Sequence, residues 1–389
     1  MRIAYFISSF SSAHTGTGGH YESLREVSDQ IAKSDYCNQV MLCSVGNLPV
    51  PALERAGSEQ IRINLGCDSN FISSLKSARL KLLAMRPTHV HAFDNKSLSV
   101  ARLLTAGMSP KEFLTKPGGP NPAPGRFPRC PDVITFSEEN AEYLRETLPA
   151  KQSRVHLVSN RISTPACDLE RIKLLRSMAQ GSEIVMRIAR IGEYYESSLR
   201  QTLKLAAFMR QSGRNVRAFL IGVCQSNEVY NRLMSEKHED DVILVDPNFT
   251  RSAAELLPAA AFAVGTGRGV IESLLMDVPA FAPVSNWDLP RLVNHRSWPD
   301  LVRKNFSERN STVSDPSREI ERVMRMSPPE LRSMVSETRL LAYDRYSSDL
   351  IASRYKDIYD TDQRVRTPIY DIAKVATATA LAAIRSSVK

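Results

Sequence analysis

Ala261-Phe-Ala-Val-Gly-Thr-Gly-Arg-Gly-Val-Ile-Glu-Ser-Leu-Leu-Met-Asp-Val-Pro279 contains a complete strand–loop–helix unit. Ala261–Val264 is short and apolar, as a strand buried on both faces is. Gly265-Thr-Gly-Arg-Gly269 follows, and Val270–Met276 then carries apolar residues at helical spacing. Glycines at such a junction let the backbone come close to a ligand, and the free N–H groups of the helix start attract an anion. Arg268 adds a cation for phosphate, and Glu272 offers a carboxylate for ribose hydroxyls. The plainer reading of Glu272 is that it complements the helix dipole, worth under about 1 kcal/mol. To serve a nucleotide it must reach sideways to the sugar, away from the phosphate.

The same alternation runs outward in both directions. Upstream, Glu183–Ile188 is a strand, and Arg187-Ile-Ala-Arg190 closes it. A guanidinium at a strand's carboxyl end suits a diphosphate, and the competing reading is an ordinary exposed arginine. Helix Arg200–Gln211, strand Ala218–Ile221, helix Glu228–Lys237, strand Val242–Val245 and a helix around Ala253–Leu257 complete this series. An earlier series has strands at Ile3–Ser8, Val40–Val45, Ile61–Leu65, His89–Phe93, Val133–Ser137 and Val155–Val158. Helices separate them, at Leu24–Ile31, Leu75–Met85, Leu98–Leu104 and Glu138–Leu148. Alternation of this kind predicts parallel sheets with helices on both faces. The fold class expected is α/β, with two Rossmann-like, doubly wound domains facing a cleft. Residues 1–165 form the first, 166–345 the second, and helices in 346–389 pack back on the first. Ile369–Ile384, rich in Ala and Thr, is expected to pack on the protein or lie against a membrane surface.

Ligands of such sheets bind beyond the carboxyl ends of the strands, which directs attention to two more loops. Gly16-Thr-Gly-Gly-His20 lies between the first strand and helix, so Gly18, Gly19 and His20 are candidates for an anionic ligand. A dinucleotide fingerprint fits poorly, because Tyr21 takes the third glycine's place and Val45-Gly46-Asn47 brings no acidic residue for a ribose. His89-Val-His91-Ala-Phe-Asp94 and Lys116-Pro-Gly118-Gly119-Pro120 follow later strands. His91 is a catalytic candidate, although a lone histidine near a strand end is more often structural. Lys116 with its glycines could meet an acceptor anion, or form a rigid turn. Glu239-Asp-Asp241 after His238 reads as a solvated loop, and no metal site is expected.

Composition narrows the class further. The 389 residues fit two domains of roughly 150–200 each, and 42% hydrophobic with 24% charged is an ordinary globular balance. The net charge of +9 favours anionic partners such as nucleotides and lipid headgroups. The charge is scattered and lacks basic–aromatic interleaving, which disfavours nucleic acid. Six cysteines at irregular spacing suggest reduced, buried thiols, with neither zinc site nor disulfide framework. Ile3–Ile7 is too short for a signal peptide's core, and no apolar run approaches about 18 residues, so a cytoplasmic protein is expected.

Taken in order, these features resemble the large retaining group of GT-B glycosyltransferases of the family 4, or group 1, type. The likeness extends over nearly the whole chain. Arg2–Lys33 resembles its opening strand, glycine loop and helix; Val90-His-Ala-Phe93 its His-bearing strand end; and Val133-Ile-Thr-Phe-Ser-Glu138 its strand ending in Ser-Glu. Val155–Ile162 resembles the segment closing its first domain, Ile184–Arg190 with Leu220-Ile-Gly222 its nucleotide-domain start, and Tyr346-Ser347 with Tyr355–Tyr359 its closing helix. The most specific match is Gly267-Arg-Gly-Val-Ile-Glu-Ser-Leu-Leu-Met-Asp-Val-Pro279, against that group's Gly-Arg…Glu-Ala…Gly-x-Pro signature. The resemblance implies an acceptor-binding first domain and a nucleotide-binding second one. Glu272 would then bind ribose, and Arg190, with Gly267, Arg268 and Gly269, the diphosphate of a UDP- or GDP-linked sugar. No cofactor or metal is implied, and the acceptor would be a glycan or lipid-linked glycan, with the enzyme working in the cytoplasm or peripherally at an anionic membrane. Three positions depart from the pattern. Val264 stands where members often have a Glu, Tyr195 where they often have a Lys, and Lys116-Pro-Gly-Gly replaces a His-Gly loop. Arg200 or Arg268 is the expected substitute for that lysine. Rival readings on the same scaffold are a nucleotide-sugar epimerase and an inactive nucleotide-sugar-binding protein.

Overall fold

The structure is a computed structural model that describes residues 1–9, 19–46, 50–54, 57–63, 71–123, 127–149 and 153–361. The chain forms two compact units, and the first is built from residues up to Arg161 and again from Ser348. Its strands are β1 (Arg2–Ser8), β2 (Gln39–Val45), β3 (Glu59–Ile63), β4 (His89–Ala92), β5 (Lys111–Lys116), β6 (Asp132–Thr135) and β7 (Arg154–Leu157). They make one parallel sheet in the order β3-β2-β1-β4-β5-β6-β7.

The period-2 geometry of β1 explains why both of its faces are apolar. Ile3, Tyr5 and Ile7 pack with Leu24, Val27 and Ile31 of the helix Gly19–Ala32, and with Tyr355 and Tyr359 of the helix Ile351–Tyr359. Ala4 and Phe6 point the other way, onto Ala78, Leu82, Leu98 and Leu104. Each such side chain, fully buried, contributes about 1.5–3 kcal/mol. β5 was not expected from the sequence. Its flanking lysines mask a core of Phe113, Leu114 and Thr115, all buried between β4 and β6. The segment Ile369–Ile384 lies outside the described residues.

The second unit runs from Ile162 to Ser347. Its strands are β8 (Glu183–Ile188), β9 (Val216–Ile221), β10 (Val242–Leu244), β11 (Phe262–Val264), β12 (Ala280–Ala282) and β13 (Arg291–Leu292). Their order is β10-β9-β8-β11-β12-β13. The sheet is parallel except at its edge, where β13 runs antiparallel to β12. An antiparallel partner needs only a short return, and Pro283–Pro290 supplies it without a crossover helix. The helix Leu169–Met178 was also missed, although Asp168 caps it by accepting from the Arg171 N–H at 3.0 Å. Asp241, read as part of a solvated loop, is instead buried. It receives both Nη groups of Arg210, at 2.8 and 3.2 Å, and the Ala218 N–H at 2.7 Å, tying the start of β10 to β9.

Both sheets reverse their winding direction once, between β1 and β4 in the first and between β8 and β11 in the second. At such a switch point the flanking loops diverge and leave a crevice at the carboxyl ends of the strands. Among the described residues, no helix is long and apolar enough to cross a membrane.

Candidate functional site

In the second unit, the two loops singled out in the sequence follow the strands at its switch point. β8 and β11 are hydrogen-bonded neighbours in which Arg187 and Val264 are register partners. The loops that follow therefore start side by side: Ala189–Gly192 after β8 and Gly265–Gly267 after β11. Gly267 adopts φ 50°, a left-handed conformation that only glycine accepts cheaply, and its N–H donates to the Asn305 carbonyl at 3.0 Å. This turn opens the helix Arg268–Leu275, whose N-terminus has no side-chain cap. A helix start carries the positive end of the dipole and suits an anion; here the Gly269 N–H donates to the Thr266 carbonyl at 3.0 Å.

The charged groups around the loop divide into two kinds. Arg268 Nε donates to Glu272 Oε1 at 2.6 Å, an i,i+4 pair in which both side chains are mostly buried. Arg190 donates from Nη2 to the Tyr195 hydroxyl at 3.0 Å, and its guanidinium carbon lies 5.1 Å from the centre of that ring. Tyr195, in place of the expected lysine, thus anchors the arginine. Arg187 differs from both. It is 2% exposed and reaches Ser198 Oγ at 3.0 Å, Thr266 Oγ1 at 3.3 Å and the carbonyls of Ile188 and Val264 at 3.3 and 3.5 Å. Its Nε has no partner, and it makes no ion pair among the described residues. Burial pulls this guanidinium down to about 10, opposed by the charge of Glu308.

Close backbone packing fixes these loops. Gly222 follows β9, and a Cβ there would stand 1.7 Å from the Ala189 carbonyl oxygen, one residue before Arg190. Gly222→Ala is therefore expected to force the two strand ends apart and destabilise the protein by about 1–3 kcal/mol. Urea unfolding checks this, and an unchanged midpoint would contradict the packing described.

The other expected residues fall in different places. Arg200, proposed as a substitute for the missing lysine, is engaged by Glu196 at 3.1 Å and Glu236 at 2.6 Å. It lines a groove of about 910 Å³ with Lys204, Arg210 and Asp241. Two further cations of that groove have carboxylate partners, Asp288 for Lys204 and Asp241 for Arg210, and Lys237 donates to the His238 and Glu239 carbonyls. His238, Glu239 and Asp240 bring ligand-type atoms within 4.8 Å of one another, all three residues being exposed.

In the first unit, Gly18 lies outside the described residues, while Gly19 opens the helix Gly19–Ala32 and His20 rests against Tyr21 with ring centres 4.0 Å apart. Lys116 ends β5 and its ammonium donates to the Gly118 carbonyl. Asn140 Nδ2 reaches the Gly119 carbonyl at 3.4 Å, holding the Lys116–Gly119 loop to the following helix. His91 needs a correction. It is fully buried in β4, with Nδ1 on the Tyr359 hydroxyl at 2.8 Å and Nε2 on Thr115 Oγ1 at 2.7 Å. No ring nitrogen is left for a substrate, and desolvation lowers its pKa to about 3. His91 is a core histidine, not a catalytic one.

Two parallel α/β units, one with seven strands and one with six, define the GT-B fold. No family model matches the sequence, and no curated protein matches it either. Among solved structures the chain is similar to HepE from Anabaena in complex with UDP and glucose, with a TM-score of 0.64, 12% identity, 92% of this chain and 99% of that one covered. A glycosyltransferase from Rickettsia africae gives 0.61, 13%, 92% and 98%. UDP-GlcNAc 2-epimerase from Neisseria meningitidis, bound to UDP-GlcNAc, gives 0.53, 14%, 92% and 100%. At such identities the likeness is one of fold.

Proposed function

We propose that the chain is a glycosyltransferase that takes a sugar from a UDP- or GDP-linked donor and passes it, with retention, to a glycan or lipid-linked acceptor. The observation that supports this reading is the start of the helix Arg268–Leu275, which has no side-chain cap and lies at the switch point of the second unit, with Arg187 and Arg190 on the neighbouring strand end. Glycosyl transfer leaves a nucleoside diphosphate, so charge develops on the leaving phosphate oxygens. Helix N–H groups, Arg190 and Arg268 stabilise that charge without reorganising at the moment of reaction. Glu272 binds the ribose hydroxyls, turning from Arg268 as the phosphate takes over the cation. In the first unit, Lys116 with Gly118 and Gly119, together with His20, is assigned to acceptor recognition. The net charge of +9 suits an acceptor carried on an anionic lipid. HepE and its UDP-glucose complex support the donor class by analogy.

The test is a ³¹P NMR assay of purified protein with UDP- and GDP-sugars, with and without a panel of lipid-linked and free glycans. Acceptor-dependent release of nucleoside diphosphate is expected. Isomerisation of the donor sugar without an acceptor would replace this reading with the epimerase one.

A further inference from the structure

Arg187 is the residue that the proposed chemistry above leaves least explained. A guanidinium has five N–H donors. Here it is 2% exposed, its Nε has no partner, and its other contacts are two hydroxyls and two carbonyls at 3.0–3.5 Å. None of these is an anion. The nearest carboxylate influence is that of Glu308, which is occupied by accepting from the Ser198 N–H at 3.3 Å. Burying a cation without a counter-ion costs free energy that neutral acceptors do not return. Such a residue persists where a ligand completes it.

Its position says what kind of ligand. Arg187 touches Thr266 of the glycine loop, and a Cβ on Gly269 would lie 3.9 Å from its Nη1. It therefore stands under the first turn of the helix Arg268–Leu275, on the side of β8. Arg187 and Arg190 also flank one ring, 5.9 and 5.1 Å from the centre of Tyr195. Two guanidinium groups on one aromatic ring, beside a helix N-terminus, concentrate positive potential where one phosphate would satisfy only part of it.

We infer that Arg187 supplies a fixed cation for the second phosphate of a bound nucleoside diphosphate, and so sets the preference for diphosphate over monophosphate. This rests on the nucleotide site proposed above and adds a role to it. Tyr195 occupies the place where a lysine was expected, and Arg187 delivers the missing charge from inside the strand instead. Rigid burial suits that task, because the charge is already desolvated and oriented before the ligand arrives.

Isothermal titration of the full chain with UDP, UMP, GDP and GMP tests this, with Arg187→Met and Arg187→Lys alongside. The wild type should bind the diphosphate of one base about ten- to a hundredfold more tightly than its monophosphate. In Arg187→Met that ratio should fall by about tenfold or more, with monophosphate affinity nearly kept and the ligand-free melting temperature unchanged or raised. Arg187→Lys should keep part of the ratio, since it keeps the charge but not the planar fork that Ser198 and Thr266 hold in place. A folded Arg187→Met with the full ratio would overturn the proposal and leave the nucleotide site standing. Loss of folding in both variants would also overturn it, by showing Arg187 to be a structural anchor. Wild-type protein that binds none of the four ligands would instead remove the site itself.

Discussion

Glu272→Ala should weaken binding of the preferred nucleotide by about ten- to a hundredfold while lowering the melting temperature of the ligand-free protein by only a few degrees. The two halves of this expectation have separate causes. In the free protein Glu272 meets Arg268 one turn away at 2.6 Å, a pair formed along a single helix. Exposed pairs of that spacing contribute about 0.3–0.5 kcal/mol to folding, and the burial of both side chains here raises the loss to about 1 kcal/mol or somewhat more. When phosphate occupies the helix start, Arg268 has a better anion and Glu272 turns to the ribose, where a charged acceptor for hydroxyls is worth about 1.5–3 kcal/mol. Titration calorimetry and a melting curve on the same variant separate these contributions. A large melting loss with unchanged affinity would make Glu272 a structural partner of Arg268 only.

Acidification should destabilise the first unit below pH 6.5, and His91 should account for a large part of the loss. Its side chain is fully buried among Tyr5, Phe93, Phe113, Tyr355 and Tyr359, and burial lowers its pKa from 6.5 to about 3. The folded protein refuses a proton that the unfolded chain accepts near pH 6.5. Stability from the neutral ring is therefore complete above that pH and declines as pH falls toward 3. Between pH 6.5 and 4.5 the cost is on the order of 2–3 kcal/mol. His89, lowered to about 4 and nearer the surface, adds a smaller share. Protonation disturbs the chain of hydrogen bonds Tyr5–Tyr359–His91, so the helix Ile351–Tyr359 should lose its hold on β1 and β4 first. Urea unfolding at several pH values checks this against His91→Gln, whose pH slope in that range should be shallower. Equal slopes for both proteins would contradict the assignment.

The alternation of strands and helices was legible because β1 and β8 are apolar on both faces, which a sequence displays directly. Gly265–Gly269 was legible as a strand-to-helix turn because its glycines and the apolar segments on either side are all local. What failed depended on contacts distant in the chain. His91 looked like a strand-end histidine because Tyr359, 268 residues further on, is what covers it. β5 was hidden by its own lysines and the Pro-Gly turn behind it. Arg187 was quoted within the right motif, but a strand-end arginine reads the same whether exposed or buried without a counter-ion. The signal available was its place within the apolar run Ile184–Ile188, where a charge demands a reason.

The most direct measurement is a melting-temperature panel of the wild-type protein against UDP, GDP, ADP and their sugar conjugates at low salt, with Arg190→Ala and Glu272→Ala run in parallel. A ligand at about 100 times its dissociation constant adds roughly 2.7 kcal/mol, a shift of several degrees for units of this size. The expected result is stabilisation of the wild type by the nucleotides of one base, lost or sharply reduced in both variants. Equal stabilisation of all three proteins, or none by any nucleotide, would contradict a donor site at the β8–β11 switch point.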